Sequence, residues 1–307
     1  MKPRFVAGVL VAVTGFWAAA ESVSLTPAAD TTIFAHDPDN NMGAERELIL
    51  GAVSKNAPAN KARLLIRFDL TSLPPTAVVT NVTLSVSVIK EHSGAPAESV
   101  GMHPMLVDWI EGTRSGSQGS LAAVGQPTWN FRAHNQSRWG TPGGLPGTDF
   151  AEAQSSRQSV DGPGAYTFPS TTQLVADVQR WLTNSGENRG WILISENEAK
   201  AESSRRVRSR ESTTDKPALT IGYTVPPPAP QIVNFDSIQM GTGTVDLRFK
   251  ALAGNIYSVW TRESLDAPHW ATLTNVISKL TDADALVQDP LTDARRFYQL
   301  AITGQVD

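Results

Sequence analysis

The chain has 307 residues, 40% of them hydrophobic, with no cysteine and a formal net charge of -4. That length and hydrophobicity allow one large β-domain plus a smaller one with packed cores, and they argue against disorder as a global state. The missing cysteines exclude disulfides and thiol catalysis, and the acidic balance supplies no basic field for nucleic acid.

Lys2 and Arg4 precede an apolar run from Phe5 to Ala20 that ends in Ala18, Ala19 and Ala20. This is the layout of a secretory signal peptide over residues 1–20, with Glu21 as the mature start and a secreted or cell-surface destination. The run is short for a membrane span, and no later stretch approaches the roughly twenty apolar residues of one, so no membrane insertion is expected.

From Thr31 to Tyr223 short β-type runs are separated by Gly, Pro, Asn and Ser clusters, the pattern of a sandwich. Arg63 to Leu70 reads as a strand. Val82, Leu84, Val86 and Val88 alternate with polar residues, Trp191 to Ile194 is a compact apolar run, and Leu219, Ile221 and Tyr223 alternate again. One segment has helical spacing instead: Leu174, Val175, Val178, Trp181 and Leu182 follow the candidate caps Thr171 and Thr172, and Asn184 to Gly186 ends it. Such a helix is expected to cover one sheet, with Trp181 in the core.

Val225-Pro226-Pro227-Pro228-Ala229-Pro230 cannot continue a ladder and reads as an extended, semi-rigid spacer. Beyond it, Ile232 to Gln239, Val245 to Phe249, Ile256 to Trp260 and Arg296 to Ile302 read as strands of a second, small sandwich. The expected architecture is all-β. A β-sandwich with one covering helix spans 21–224, a proline-rich linker spans 225–230, and a small second β-sandwich spans 231–307.

An ordered set of short motifs runs through the larger region. Ala29-Asp30-Thr31, Asn41-Met42-Gly43, Leu65-Ile66-Arg67-Phe68-Asp69-Leu70, Leu73-Pro74 and the strand Val82 to Val88 come first. Trp109, Glu111, Gly112, Thr128-Trp129, Trp139, Gly143-Gly144 and Asp149-Phe150 follow, then Asp177-Val178, Trp181, Gly190-Trp191, Ser209-Arg210-Glu211 and Pro217-Ala218-Leu219. With these residues the stretch from Ala29 to Tyr223 resembles the DNRLRE domain, a family of secreted bacterial and archaeal modules related to uronate-binding carbohydrate-binding modules. The resemblance implies a jelly-roll-type sandwich and non-catalytic carbohydrate binding in a secreted prokaryotic protein. Met42 stands where the family pattern has Tyr. The tail, through Phe249, Ala253-Gly254, Tyr257, Val259, Leu265, Trp270, Leu273, Asp289-Pro290 and Phe297-Tyr298, resembles a small accessory sandwich appended to secreted bacterial proteins.

Carbohydrate binding needs flat aromatic faces and a few polar side chains, and acidic sugars add Arg or Lys to meet carboxylates. Trp109, Trp129 and Trp139 lie in or beside the long Gly-, Ser-, Asn- and Arg-rich region from Glu111 to Asp149, the type of loop that carries function on a rigid scaffold. The competing reading buries all three. In Arg205-Arg206-Val207-Arg208-Ser209-Arg210, strand alternation puts Arg206, Arg208 and Arg210 on one face and Arg205, Val207 and Ser209 on the other. The arginine stripe could grip a uronate-rich or sulfated polysaccharide. Alternatively, it pairs with Glu196, Glu198, Glu202 and Glu211 as weak surface ion pairs.

Asp30, Asp37, Asp39 and Asn41 could hold a structural calcium ion through hard oxygen ligands, although Asp-Pro-Asp-Asn-Asn is also ordinary turn chemistry. No Gly-x-Ser-x-Gly elbow, His-Glu-x-x-His or phosphate-binding glycine loop is present, and the five histidines are scattered. Asp108 and Glu111 could furnish one member of a glycosidase carboxylate pair, but a sandwich turn explains them equally well. The expected function is therefore secreted, non-enzymatic polysaccharide binding. The alternatives are a structural or adhesive surface protein that self-associates and, further off, a polysaccharide lyase or hydrolase.

Overall fold

Alternation builds the first sheet. In the fourteen-residue strand Val78–Glu91, Val82, Leu84, Val86 and Val88 are buried while Thr83, Ser85 and Ser87 stay half-exposed, as a strand with one wet face requires. The computed structural model describes residues 20–53, 60–92, 95–198, 200–226, 229–278, 281–291 and 295–306. Within it, one layer runs in the order Ala20–Leu25, Ala218–Thr224, Val78–Glu91, Arg205–Arg208, Glu47–Ala52, all antiparallel, and Gly164–Phe168 also pairs with Val78–Glu91. Glu47–Ala52 then pairs Gly51 and Ala52 with Ala62 and Lys61, so that a single eleven-stranded sheet curls into two layers. The second layer consists of Pro27–Phe34, Lys61–Phe68, Trp191–Ser195, Glu98–Pro104 and Ser156–Val160. Leu64, Ile66 and Phe68 from this layer share one core with Leu84, Val86 and Ile221 from the other. This is the all-β sandwich with a covering helix that the alternation and the helical spacing predict.

The helix Thr172–Thr183 begins where Thr171 Oγ1 accepts from Leu174 N at 3.0 Å, a cap that contributes about 1 kcal/mol. Leu174, Val178 and Trp181 face the core, and Gln179 Oε1 accepts from Val79 N to tie the helix to Val78–Glu91. Asp177 is buried on the same face, where it accepts from Ser155 Oγ at 2.7 Å and from Gln173.

The run Leu64-Leu65-Ile66 is apolar on both faces because both are covered. Leu65 points away from the main core and joins Ala29, Ile33 and Ile192 in a second one. Residues 105–155, with short strands at Ser120–Leu121, Phe131–Ala133 and Ser137–Arg138, lie over that face and supply Met105, Trp109, Trp129, Trp139 and Phe150. Gly143 has φ +88, and a Cβ there would lie 2.6 Å from the Trp129 ring, so the covering segment closes onto the tryptophan only with glycine at this position.

The chain divides into two compact units between Val225 and Pro226. The expected leader falls on residues outside the described ones except for Ala20, which opens the strand Ala20–Leu25, and Pro227 and Pro228 of the expected linker also lie outside them. In the smaller unit, Gln231–Val233, Phe297–Gln305, Asn255–Arg262 and Ala271–Ser278 form one sheet, and Ser237–Met240, Thr244–Ala251 and Ala283–Pro290 form another. Their inner faces bury Leu247, Phe249, Tyr257, Val259 and Leu300. The single strand expected over Ile232 to Gln239 is two strands in different sheets, broken at Asn234 to Asp236. Ala271–Ser278 and Ala283–Pro290 are not among the strands expected from the sequence, because few of their residues are buried and they carry little apolar alternation. No helix among the described residues is long and apolar enough to cross a membrane.

Candidate functional site

Alternation in Arg205–Arg208 turns Arg205 and Val207 inward and Arg206 and Arg208 outward. Arg205 is 2% exposed and donates to Asp161 O, Ser203 O and Pro96 O, the three carbonyls lying at 2.6–2.8 Å. Arg206 lies directly opposite Lys90 on one neighbouring strand, and Arg208 directly opposite Glu47 on the other. Directly opposed residues share a face, and like charges there repel. Glu47 stands between the two arginines, 3.7 Å from Arg206 Nη1 and 3.8 Å from Arg208 Nη1. Both separations exceed the roughly 2.7–2.9 Å of a charge-assisted hydrogen bond. Arg208 Nε has no hydrogen-bond partner, and Arg206 Nη2 donates to Ser117 O at 3.2 Å. The strip thus carries three cations, two of them leaning on one carboxylate. A hollow of about 170 Å³ beside it is lined by Ile49, Val53, Lys90, Glu91, His92, Ser204 and Arg206, and Glu91 in turn approaches Arg205 at 3.9 Å. Arg210, expected on the same stripe, lies beyond the strand and pairs with Glu111 instead.

The three loop tryptophans occupy a different place. Trp109, Trp129 and Trp139 are all buried in the second core, 3%, 9% and 5% exposed. Trp109 Nε1 donates to Arg189 O and Trp139 Nε1 to Thr128 O, while the Arg63 guanidinium lies 5.4 Å from the Trp129 ring. Their faces are covered, so none offers a sugar-stacking surface. The long segment needs a core of its own because it must hide the apolar outer face of the second layer.

The four oxygen-bearing residues read as one calcium set do not come together. Asp37 lies beside His36 at 3.4 Å, and Asp39 is half-exposed near Asn130 and His134, both within the turn after Pro27–Phe34. Asn41 is fully buried and its amide is engaged: Nδ2 donates to Glu111 O at 3.0 Å and Pro127 O at 3.1 Å, and Oδ1 accepts from Gly43 N at 3.0 Å. Asn41→Ala is expected to destabilise the larger unit by about 2–3 kcal/mol in urea unfolding, since several buried groups lose their partner. Asp39→Ala should stay within about 0.5 kcal/mol of the parent. Equal effects would contradict this division.

Asp30 meets two carboxylates that spacing alone does not bring near it, Glu111 and Glu211. Glu111 Oε1 accepts from Asp30 N at 2.8 Å, Asp30 Oδ2 accepts from Arg210 N at 2.8 Å, and Glu111 Oε2 accepts from Arg210 Nη1 at 2.6 Å. Burial pushes the Asp30 carboxyl well above the usual range, opposed by the Arg210 backbone N–H and reinforced by Glu211 and Glu111. Burial also raises Glu111, against the pull of the Asp30 N–H. Glu111-Gly112 and Arg210-Glu211 are both among the motifs of the family resemblance, the one signal that links them before folding. Asp108, the other carboxylate considered for a catalytic pair, is bound to Arg189 at 3.0 Å.

A separate cleft of about 550 Å³ opens beside the helix and is lined by Arg67, Phe68, Asp69, Thr71, Trp181 and Asn188 among others. Trp181 Nε1 and Asn188 Oδ1 are buried without a partner. Residues 21–115 match carbohydrate-binding module family 96, a stretch that runs from the first strand to the loop carrying Glu111 and Arg114. The match supports a carbohydrate-binding function. No curated protein matches the chain.

Proposed function

We propose that this chain is a secreted, non-catalytic polysaccharide-binding protein whose ligand is rich in acidic sugars and lies along Lys90, Arg206 and Arg208. The single observation that carries the reading is the pairing of Arg206 opposite Lys90 with one shared carboxylate nearby. A strand face that places like charges side by side loses stability unless an anion joins them. A uronate carboxylate would give the guanidinium groups the short bidentate contacts that Glu47 does not make. The leader-like N-terminus supports an extracellular setting.

The carboxyls argue against catalysis. Asp30 and Glu111 are the pair pushed upward, as a general acid requires, but Asp30 is 0% exposed and out of a substrate's reach. Glu196, in a polar groove with His103 and Gln154, is held below its usual range by the Gln154 side chain.

The test is affinity electrophoresis through uronate-rich and neutral polymers. Retardation by the uronate polymer should fall about 10-fold or more in Arg206→Ala/Arg208→Ala, the loss of one or two charge-assisted hydrogen bonds. It should also weaken with salt. The partnerless Trp181 and Asn188 atoms favour a second reading, a neutral sugar in the cleft. That reading predicts salt-independent retardation by neutral polymers, reduced by Asn188→Ala and unaffected by the arginine variants. Absence of retardation by any polymer, together with concentration-dependent association in light scattering, would instead support an adhesive, self-associating surface protein.

A further inference from the structure

We propose that Asp30, Glu111 and Glu211 form a calcium site that fastens three distant parts of the larger unit together. Each residue offers a carboxylate oxygen, and these oxygens all lie within 4.8 Å of one another. Oxygens on opposite sides of one calcium ion, each about 2.3–2.6 Å from it, are separated by about 5 Å, so one ion reaches all three. The donor set is purely carboxylate, which selects a hard cation and not zinc or copper.

A second observation is independent of the cluster's composition. Asp30 is 0% exposed, and its Oδ1 is buried with no hydrogen-bond donor; Glu211 Oε2 is in the same condition. A buried ionised oxygen without a donor is costly, and coordination to a cation removes that cost. Arg210 neutralises part of the charge: its Nη1 is 2.6 Å from Glu111 Oε2 and its Nε 3.5 Å from Glu211 Oε1. Three carboxylates and one guanidinium leave two negative charges, the complement of a divalent ion. The ligands come from the strand Pro27–Phe34, the segment after Trp109 and the turn after Arg205–Arg208. An ion here joins segments far apart in sequence and stabilises the folded state by mass action.

The test uses the full chain after chelator treatment, titrated with calcium chloride by calorimetry and by thermal unfolding. One ion should bind per chain, and calcium at about 100 times its dissociation constant should raise the midpoint by about 5–10 °C. Magnesium should produce a smaller shift, because it demands closer octahedral geometry and keeps its waters. Glu211→Gln, a partly exposed position that should fold, is expected to weaken calcium binding at least 10-fold, and Asp30→Asn, where it folds, to abolish it. Asp37→Ala and Asp39→Ala should bind as the parent does. Absence of a calcium-dependent heat and midpoint shift, an equal response to magnesium, or parental binding by Glu211→Gln would overturn the assignment.

Discussion

Replacing Arg205 with methionine is expected to destabilise the larger unit by about 3–5 kcal/mol, since three carbonyls inside the fold each lose a donor at about 1–3 kcal/mol apiece before relaxation. At about 2–4 °C per kcal/mol for a unit of this size, the midpoint should fall by about 10 °C. The reason is the environment of its guanidinium, which is 2% exposed and holds the carbonyls of Asp161, Ser203 and Pro96. Methionine fills similar volume but donates nothing, so three carbonyls of different loops lose their donor inside the fold. Its neighbour Arg206 makes one hydrogen bond to Ser117 O and a long contact to Glu47 at the surface. Arg206→Met should change stability by less than about 0.5 kcal/mol while reducing uronate retardation. Parallel urea titrations decide the matter: if both variants shift the midpoint equally, the inward and outward roles assigned to this strand are wrong.

Trp191→Ala is expected to cost about 3–5 kcal/mol, the usual range for emptying a buried tryptophan site. Trp191 is 1% exposed, with its ring centroid 4.5 Å from that of Trp181 and 6.3 Å from that of Phe68. Its Nε1 also donates to Ser155 Oγ at 2.8 Å, and Ser155 Oγ passes the chain on to Asp177 Oδ2 at 2.7 Å. The indole therefore joins the second layer to the helix by packing and by a buried polar relay. Trp191→Phe should retain most of the packing but leave Ser155 Oγ with one partner fewer, a loss of about 1–3 kcal/mol. Trp270, half-buried in the smaller unit against Arg262, should tolerate alanine at a cost near 1 kcal/mol or below. A Trp191→Ala protein that melts within a few degrees of the parent would show that the core around it collapses to fill the space.

Much of the fold was legible before folding because periodicity reports burial directly. Val82, Leu84, Val86 and Val88 alternate in sequence and are buried in the sheet; Leu174, Val178 and Trp181 recur at helical spacing and face the core. The arginine face was legible for the same reason, since a period of two divides Arg206 and Arg208 from Arg205 and Val207. Burial of Trp109, Trp129 and Trp139 was legible only as one of two readings, from the general tendency of large aromatics to sit inside: their segment has no regular period, and polar neighbours in sequence do not reveal a covered sheet face in space. The carboxylate grouping was hidden. Asp37 and Asp39 are neighbours of Asp30 in the chain, whereas Glu111 and Glu211 reach it through contacts that span 81 and 181 positions.

By itself, then, the sequence determined the all-β class, the covering helix and the two sides of Arg205–Arg208, because each depends on local repeats of 2 or about 3.6 residues acting against a hydrophobic interior. Tertiary structure alone decided that the tryptophan-rich segment is a second core and that Asp30 joins Glu111 and Glu211. The first follows from residues 105–155 lying over the outer face of the second layer, the second from long-range contacts that bring Glu111 and Arg210-Glu211 to the strand Pro27–Phe34, and no local period encodes which segments will meet.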